Sequence, residues 1–332
     1  MITVDFALND DQELLRDSAR TLLERECRAS LLRAHMLDAS AADPLWDHLR
    51  GFTELGGGPL ADLHLFLEET GYVAAPGPFF ATAALFAPLL GALDHELLPA
   101  VLAGEVTGTV ALAGADGRWS VNDEPVKTFV PEADRVDWVA VVSAGPCVTV
   151  APRLPVRHVE TIDSTRRLFE VDATGLPGEA TSVHPGVLDD VLVRATVALA
   201  AEMVGTARRL FDMTLAHAKE RVQFDVPIGS FQAIQHTLAD LALEVERATS
   251  AAQYSAMTVD AGHPDRRRAA HVAKAAAGAA VTRAARDGIQ IHGGIGYTWE
   301  HDLHLFIRRA YASEHWLGTR TEHHDRLAEL LI

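Results

Sequence analysis

QIHGGIGYTWEHDLHLFIRRA, residues 290–310, decides how the rest of the chain is read. A helical run leads into Gly293, Gly294 and Gly296, and a second run leads out. Glycine is required where backbone turns left-handed or where something must approach it without a Cβ in the way. Two readings fit: a generous helix C-cap, or a backbone surface laid against a ligand. A Rossmann-type fingerprint is excluded, because no strand precedes the glycines and the third spacing is wrong.

Working outward, residues 221–232 (RVQFDVPIGSFQ) join two further helical runs. Pro227 and Gly229 set a turn there, and Ser230 is placed to cap the following helix. Arg221 and Gln223 close one helix and Gln232 opens the next. A cation and two amides at one corner suit a phosphate-bearing ligand, although a plain helical corner needs no ligand at all. Thr319-Arg-Thr-Glu322 has capping-box spacing, and its free N–H groups make a second possible anion site. His301-Asp-Leu-His304 and His323-His324-Asp325 are poorly spaced for a closed metal site and read as solvated helix faces. No metal site is expected.

The periodicity divides the chain into three zones: helical over 1–105, β-rich over 106–180, and helical again over 181–332. In the first, Asn9 to Gln12 has capping-box character and leucines follow at helical spacing. In the second, short Val-, Trp- and Phe-rich runs alternate with Gly, Pro and Asp about every ten residues, as in a small antiparallel sandwich or barrel. In the third, residues 187–220 and 231–260 are amphipathic. Residues 265–292 are Ala-rich, which permits close helix approach. Long helices with short connections predict an antiparallel four-helix bundle.

Composition bounds the function. A formal net charge of −17 repels nucleic-acid backbones and anionic membranes, so neither is an expected partner. With 48% hydrophobic residues the chain can bury a large core. Cys27 and Cys147 form no disulfide framework. With no signal-like N-terminus in sight, this suggests a cytoplasmic protein.

Four stretches together resemble the acyl-CoA dehydrogenase family. These are residues 200–205 with 218–224 and 227–232; Leu238-Ala-Asp240; residues 290–300; and Asp163-Ser-Thr-Arg166. The resemblance covers nearly the whole chain and is strongest after residue 184. It implies an N-terminal helical domain, a small middle β-domain, a C-terminal four-helix bundle, and FAD as cofactor. By carry-over, Arg221, Phe224 and Gln232 hold the ADP half of the flavin, and Gln223 is a further cofactor contact. Gln290, Gly293 and Gly294 reach it from across a dimer, and Thr319 lies beside the cofactor.

The family removes a proton from Cα of an acyl-CoA thioester with a desolvated carboxylate while a hydride leaves Cβ. The two positions that usually carry that glutamate are Leu317 and Ala195 here, so the catalytic base is unassigned. The Thr/Ser-rich flavin motif of the family is also replaced, by residues 111–117 (ALAGADG), and residues 138–140 (WVA) stand where it has Trp followed by Thr or Ser. Residues 299–309 resemble the bacterial branch that forms α2β2 heterotetramers acting on bulky, steroid-derived thioesters. The resemblance thus implies a subunit that completes the FAD site of a homologous partner. Electron-transfer flavoprotein is the expected acceptor. Two alternatives stay open: a complete homomeric enzyme with a displaced base (Glu202, Glu314 or Glu322), or a binding protein that kept the fold without the chemistry.

Overall fold

The structure is a computed structural model describing residues 6–176 and 178–332. Its helices and strands run in the order α1 (Asp10–Glu26), α2 (Ala29–Leu37), α3 (Asp43–Leu49), α4 (Leu60–Val73), α5 (Ala87–Ala92) and α6 (Leu98–Leu102). Strands β1 (Gly108–Ala111), β2 (Val126–Pro131), β3 (Trp138–Ser143), β4 (Cys147–Pro152), β5 (Val156–Val159), β6 (Leu168–Asp172) and β7 (Thr181–Ser182) follow. Then come α7 (Pro185–Glu220), the hairpin β8 (Val222–Gln223) and β9 (Val226–Pro227), α8 (Gln232–Asp260), α9 (Arg266–His292), α10 (Leu303–His315) and α11 (Arg320–Leu331). The fold class is the one the sequence predicts: helices, a small β region, helices.

Packing separates two compact units. One holds residues 1–29, 64–75 and 197–332, the other 30–63 and 76–196. Their boundaries fall inside α4 and α7.

In the second unit one sheet has the order β1-β3-β4-β7 and another the order β2-β6-β5. Val130, Val139, Val141, Phe169 and Val171 form the buried core of this β region. One pairing departs from the antiparallel expectation: β1 runs parallel to β3, with Thr109 opposite Val139. The chain between them passes through β2 of the other sheet, and such a crossover is what parallel neighbours require. Residues 80–86 form a π-helix, not an α-helix. Ala87 N–H donates to the Thr82 carbonyl, five residues back, just before Pro88. Pro88 can neither donate an amide nor tolerate a tight preceding turn, and the wider register accommodates its ring.

In the first unit α9 packs against α8, α10 and α11. Ala270, Ala273, Ala277, Ala280 and Ala284 are buried along it. Small residues let helix backbones meet elsewhere too. A Cβ on Gly205 would lie 1.8 Å from the Glu68 carbonyl oxygen, and one on Gly71 would lie 1.9 Å from that of Glu202. Both predicted capping boxes form: Asn9 Oδ1 accepts from Gln12 N–H at 2.9 Å, and Thr319 Oγ1 accepts from Glu322 N–H at 3.2 Å. Ser230 does not cap α8. Its hydroxyl donates to the Pro227 carbonyl, and Phe231 takes the N-cap position without a side-chain bond. Among the described residues no helix is long and apolar enough to cross a membrane.

Candidate functional site

The C-terminus of α7 feeds directly into a tight hairpin. Ile228 N–H donates to the Arg221 carbonyl at 2.8 Å, which closes the loop. Phe224 and Asp225 both take left-handed backbone, φ 55° and 64°. A non-glycine residue in that region is uncommon, and two in succession mark a hairpin turn held by its surroundings. The turn lifts Phe224 into solvent with 86% of its surface exposed. Its ring meets the edge of Phe231, with centroids 6.2 Å apart. Arg221, Gln223 and Gln232 are exposed as well.

The glycine-rich turn follows α9. Gly293 is left-handed, φ 62°, and donates its N–H to Ile289 as a C-cap. The C-cap reading is therefore correct as far as it goes. Yet a Cβ built on Gly293 or Gly294 would meet nothing within 4 Å, so these backbones face open space. Gln290, Tyr297 and Trp299 are exposed around them. Gly296, by contrast, is buried, and a Cβ there would press on His292 Cβ at 3.1 Å.

The hairpin and the turn belong to the same unit. Ile291 packs on the cluster of Ala218, Ile228 and Leu238, and the rings of His217 and His292 stack at 4.2 Å. The two loops are thus joined within this chain through a shared core. An exposed guanidinium, side-chain amides, uncovered glycine backbone and exposed rings make a donor set that fits the phosphates and base of a dinucleotide.

Thr319 is elsewhere. It opens α11 next to a buried polar cluster on the first half of α9. The Lys274 ammonium donates to the carbonyls of Glu314 at 2.9 Å and Gly318 at 2.8 Å. Lys274 and Gly293 are 293 − 274 = 19 residues apart, which is ~28 Å along a helix at 1.5 Å per residue. His323 Nε2 lies 3.1 Å from the Leu317 carbonyl, and its Nδ1 lies 2.8 Å from His271 Nδ1. The pairing assigns the protons: His323 Nε2–H donates to the carbonyl, and His271 Nδ1–H donates to the free His323 Nδ1. Burial holds both imidazoles neutral, pushing His271 to about 4 and His323 to about 3. Burial also lowers Lys274 to about 8. His323 is thus a buried structural residue, not part of a solvated face. Among the described residues no group of three or more His, Cys, Asp or Glu side chains could hold a metal ion.

This cluster braces the turn on which Leu317 sits. Leu317 and Gly318 are both left-handed, φ 57° and 98°, and the Leu317 side chain is buried. Ala195 is fully buried. Neither usual base position offers an acid. The displaced candidates are occupied. Glu202 pairs with Arg309 at 2.5 Å, both side chains being buried. Glu314 Oε1 accepts from Arg320 N–H at 2.8 Å. Glu322 Oε2 accepts from Thr319 N–H at 2.8 Å and from its hydroxyl at 3.0 Å. Arg194, in the second unit, donates to the Gly58 carbonyl at 3.0 Å.

Sequence reasoning passed over one acid altogether. Glu132, left-handed at φ 53° and only 2% exposed, is pushed by burial to about 7. Its Oε1 accepts from Arg167 N–H at 3.0 Å, and its own N–H donates back to the Arg167 carbonyl. That reciprocal clasp makes it a turn-closing residue of the β region. Lys274 was missed as well. Its signal is a lone cation in an alanine run, which marks a charge that is buried by design.

Comparison with known proteins fits this arrangement. Residues 187–332 match the family described as "Acyl-CoA dehydrogenase, C-terminal domain". Acyl-CoA dehydrogenase IpdE2 of Mycobacterium tuberculosis is 33% identical over 327 residues, covering 94% of this chain and 95% of the relative. IpdE2 of Mycolicibacterium smegmatis is 34% identical over 334 residues, covering 96% and 98%. The ChsE4-ChsE5 complex from Mycobacterium tuberculosis superposes with a TM-score of 0.86 at 22% identity, over 99% of both chains. The Tcur3481-Tcur3483 steroid ACAD gives 0.84 at 26% identity, over 97% and 98%. With a relative above 30% identity aligned from end to end, this chain belongs to the acyl-CoA dehydrogenase family, the FAD-dependent oxidoreductases that act on the CH–CH bond of acyl-CoA thioesters.

Proposed function

We propose that this chain is one subunit of a heteromeric acyl-CoA dehydrogenase acting on a bulky, steroid-derived thioester, and that it supplies cofactor contacts but no proton acceptor. One observation carries the reading. Both usual base positions hold buried apolar side chains, Leu317 and Ala195. The three displaced candidates, Glu202, Glu314 and Glu322, are engaged in an ion pair, a backbone bond and a capping box. An acid committed to a native ion pair or cap cannot take up a proton without giving up that contact.

The turn that would carry the base is nonetheless intact. Lys274 and His323 tie down the carbonyls of Glu314, Gly318 and Leu317. A braced turn with an apolar tip suits a subunit that keeps the family's architecture while its partner does the proton chemistry. The ChsE4-ChsE5 complex and the Tcur3481-Tcur3483 steroid ACAD support the heteromeric assembly, and the second also supports the substrate class.

FAD, when bound, would supply the hydride acceptor for the substrate. This chain's part is to bind and orient it. Arg221 would pair with phosphate charge, the Gly293 and Gly294 backbones would admit the phosphates, and Phe224 would offer an exposed ring for a base. Gln223, Gln232 and Gln290 would supply amide donors and acceptors around them, and Thr319, by the family carry-over, would lie beside the cofactor. The Cα proton goes to a carboxylate of the homologous partner, in an α2β2 assembly. Electron-transfer flavoprotein is the acceptor in this reading, by family membership alone.

Co-expression tests it. With a homologous partner gene the complex should be yellow and should oxidise an acyl-CoA. Arg221→Ala in this chain should deplete flavin. Replacing the partner's glutamate at the position matching Leu317 or Ala195 should stop turnover while the complex stays yellow. A flavin-loaded homomer that turns over unaided contradicts the reading.

A further inference from the structure

Three imidazoles lie between the hairpin and the glycine-rich turn. His217 lies in the last turn of α7, one helical turn before Arg221, whose N–H donates to the His217 carbonyl at 2.9 Å. His292 immediately precedes Gly293 and is 5% exposed. Its ring stacks on His217 with centroids 4.2 Å apart and planes 20° from parallel. His301 meets it edge-on at 4.9 Å. The Cβ of His292 also abuts the position a Cβ on Gly296 would take, 3.1 Å away, so this ring and the turn share one packed space.

We propose that His292 is a positioning residue whose stack with His217 and His301 locks the β8–β9 hairpin to the glycine-rich turn, so that the two present one dinucleotide-binding face. The proposal rests on the reading of those loops as FAD contacts. The lock itself follows from the rings. His217 can move only with the start of the hairpin, and His292 only with the start of the glycine turn. Face-to-face contact at this distance is a direct side-chain link between both starts, and it adds to the packing of Ile291 on Ala218 and Ile228.

The hydrogen bonding fixes the ring's state. His292 Nδ1 lies 2.8 Å from the Gly288 carbonyl, so Nδ1 carries the proton and Nε2 carries a lone pair. Nε2 is buried and has no partner. The groups facing the stack are His217 and Glu220 from α7, Arg221 just after it, and His301 from the segment before α10. From α9 it meets the Gly288 carbonyl. The neighbouring His304 on α10 faces Trp299 at 4.8 Å. Within this surround Glu220 is the carboxylate, and it acts on His217. Protonating His292 would put a buried cation between two imidazoles. Burial accordingly holds His292 down at about 4, despite the pull of the Gly288 carbonyl, and lowers His217 too. The lock is closed near neutral pH and opens in acid.

Wild type, His292→Ala and His292→Phe test this by two readouts. One is hydrogen exchange of the 217–231 and 290–302 peptides in the chain alone. The other is FAD titration of the co-expressed complex. In His292→Ala, exchange should rise in both peptides together and FAD affinity should fall about ten-fold near neutral pH, the scale of one lost ring stack and its packing. In His292→Phe, which keeps a ring but cannot titrate, both readouts should stay within about two-fold of wild type. Its protection should also persist at an acid pH where wild type loses it. If the alanine variant does not fold, the phenylalanine variant decides alone by that acid limit. The lock is refuted if exchange rises only in 290–302, or if phenylalanine is as damaging as alanine. If both peptides respond together but the wild-type complex takes up no FAD, the lock stands and the flavin reading falls.

Discussion

Glu202→Gln separates architecture from chemistry most sharply. Glu202 lies on α7 and Arg309 on α10, 2.5 Å apart, and both are buried. The same guanidinium reaches the carbonyls of Ala74 and Ala75 at 3.4 Å. Converting the acid to an amide leaves Arg309 charged and buried while removing the Glu202 carboxylate from beside it. Breaking one side of a buried pair costs about 3–5 kcal/mol. For a unit of this size each kcal/mol moves the melting temperature by about 2–4 °C, so the loss should be about 6–20 °C. The assay is a thermal melt followed by circular dichroism, on the chain alone and in the complex. The double variant Glu202→Met/Arg309→Met, which removes both charges, should recover much of the loss. Were Glu202 a catalytic base instead, the single change would leave the melt near wild type and abolish turnover. A shift under about 2 °C would refute the reasoning.

Other perturbations follow from the same geometry. Glu132 has a folded pKa of about 7 against an ordinary 4.5. Its contribution to stability is complete below 4.5 and is lost as pH rises through 7, by about 3 kcal/mol. Glu132→Gln, permanently neutral, should therefore melt higher than wild type at alkaline pH and equally near pH 5, as a pH series of melts would show. Lys274 has its pKa lowered from 10.5 to about 8. Its contribution is complete above 10.5 and is lost as pH falls through 8, so wild-type stability should climb between those values by up to about 3 kcal/mol. In Lys274→Met that climb should vanish and the 314–319 turn should exchange faster. Arg221→Ala should weaken FAD retention in the complex by about ten- to a hundred-fold, as loss of a charge-assisted phosphate contact does, and flavin fluorescence on dilution would measure it. Gly205→Ala should prevent folding of the first unit, because its Cβ would lie 1.8 Å from the Glu68 carbonyl oxygen.

What the sequence made legible was local. Asn9 with Gln12 and Thr319 with Glu322 are three residues apart, and both boxes form. The long helices follow from their apolar periodicity, and the uncovered backbone at Gly293 from its glycines. What stayed hidden depends on residues that meet only through the fold. Glu202 and Arg309 are 309 − 202 = 107 residues apart, and His217 and His292 are 75 apart (292 − 217). No window of sequence holds both partners. Ser230 looked like a cap from its position, but its hydroxyl found the Pro227 carbonyl first. The parallel pairing of β1 with β3 follows from a crossover between sheets, and no strand pattern encodes that.

The visible absorption spectrum of the purified chain, alone and co-expressed with a homologous dehydrogenase subunit, probes the borrowed-site account most directly. It should show no flavin band from the chain alone, and a full flavin band, with acyl-CoA oxidation, from the pair. A yellow, active preparation of this chain by itself would contradict it.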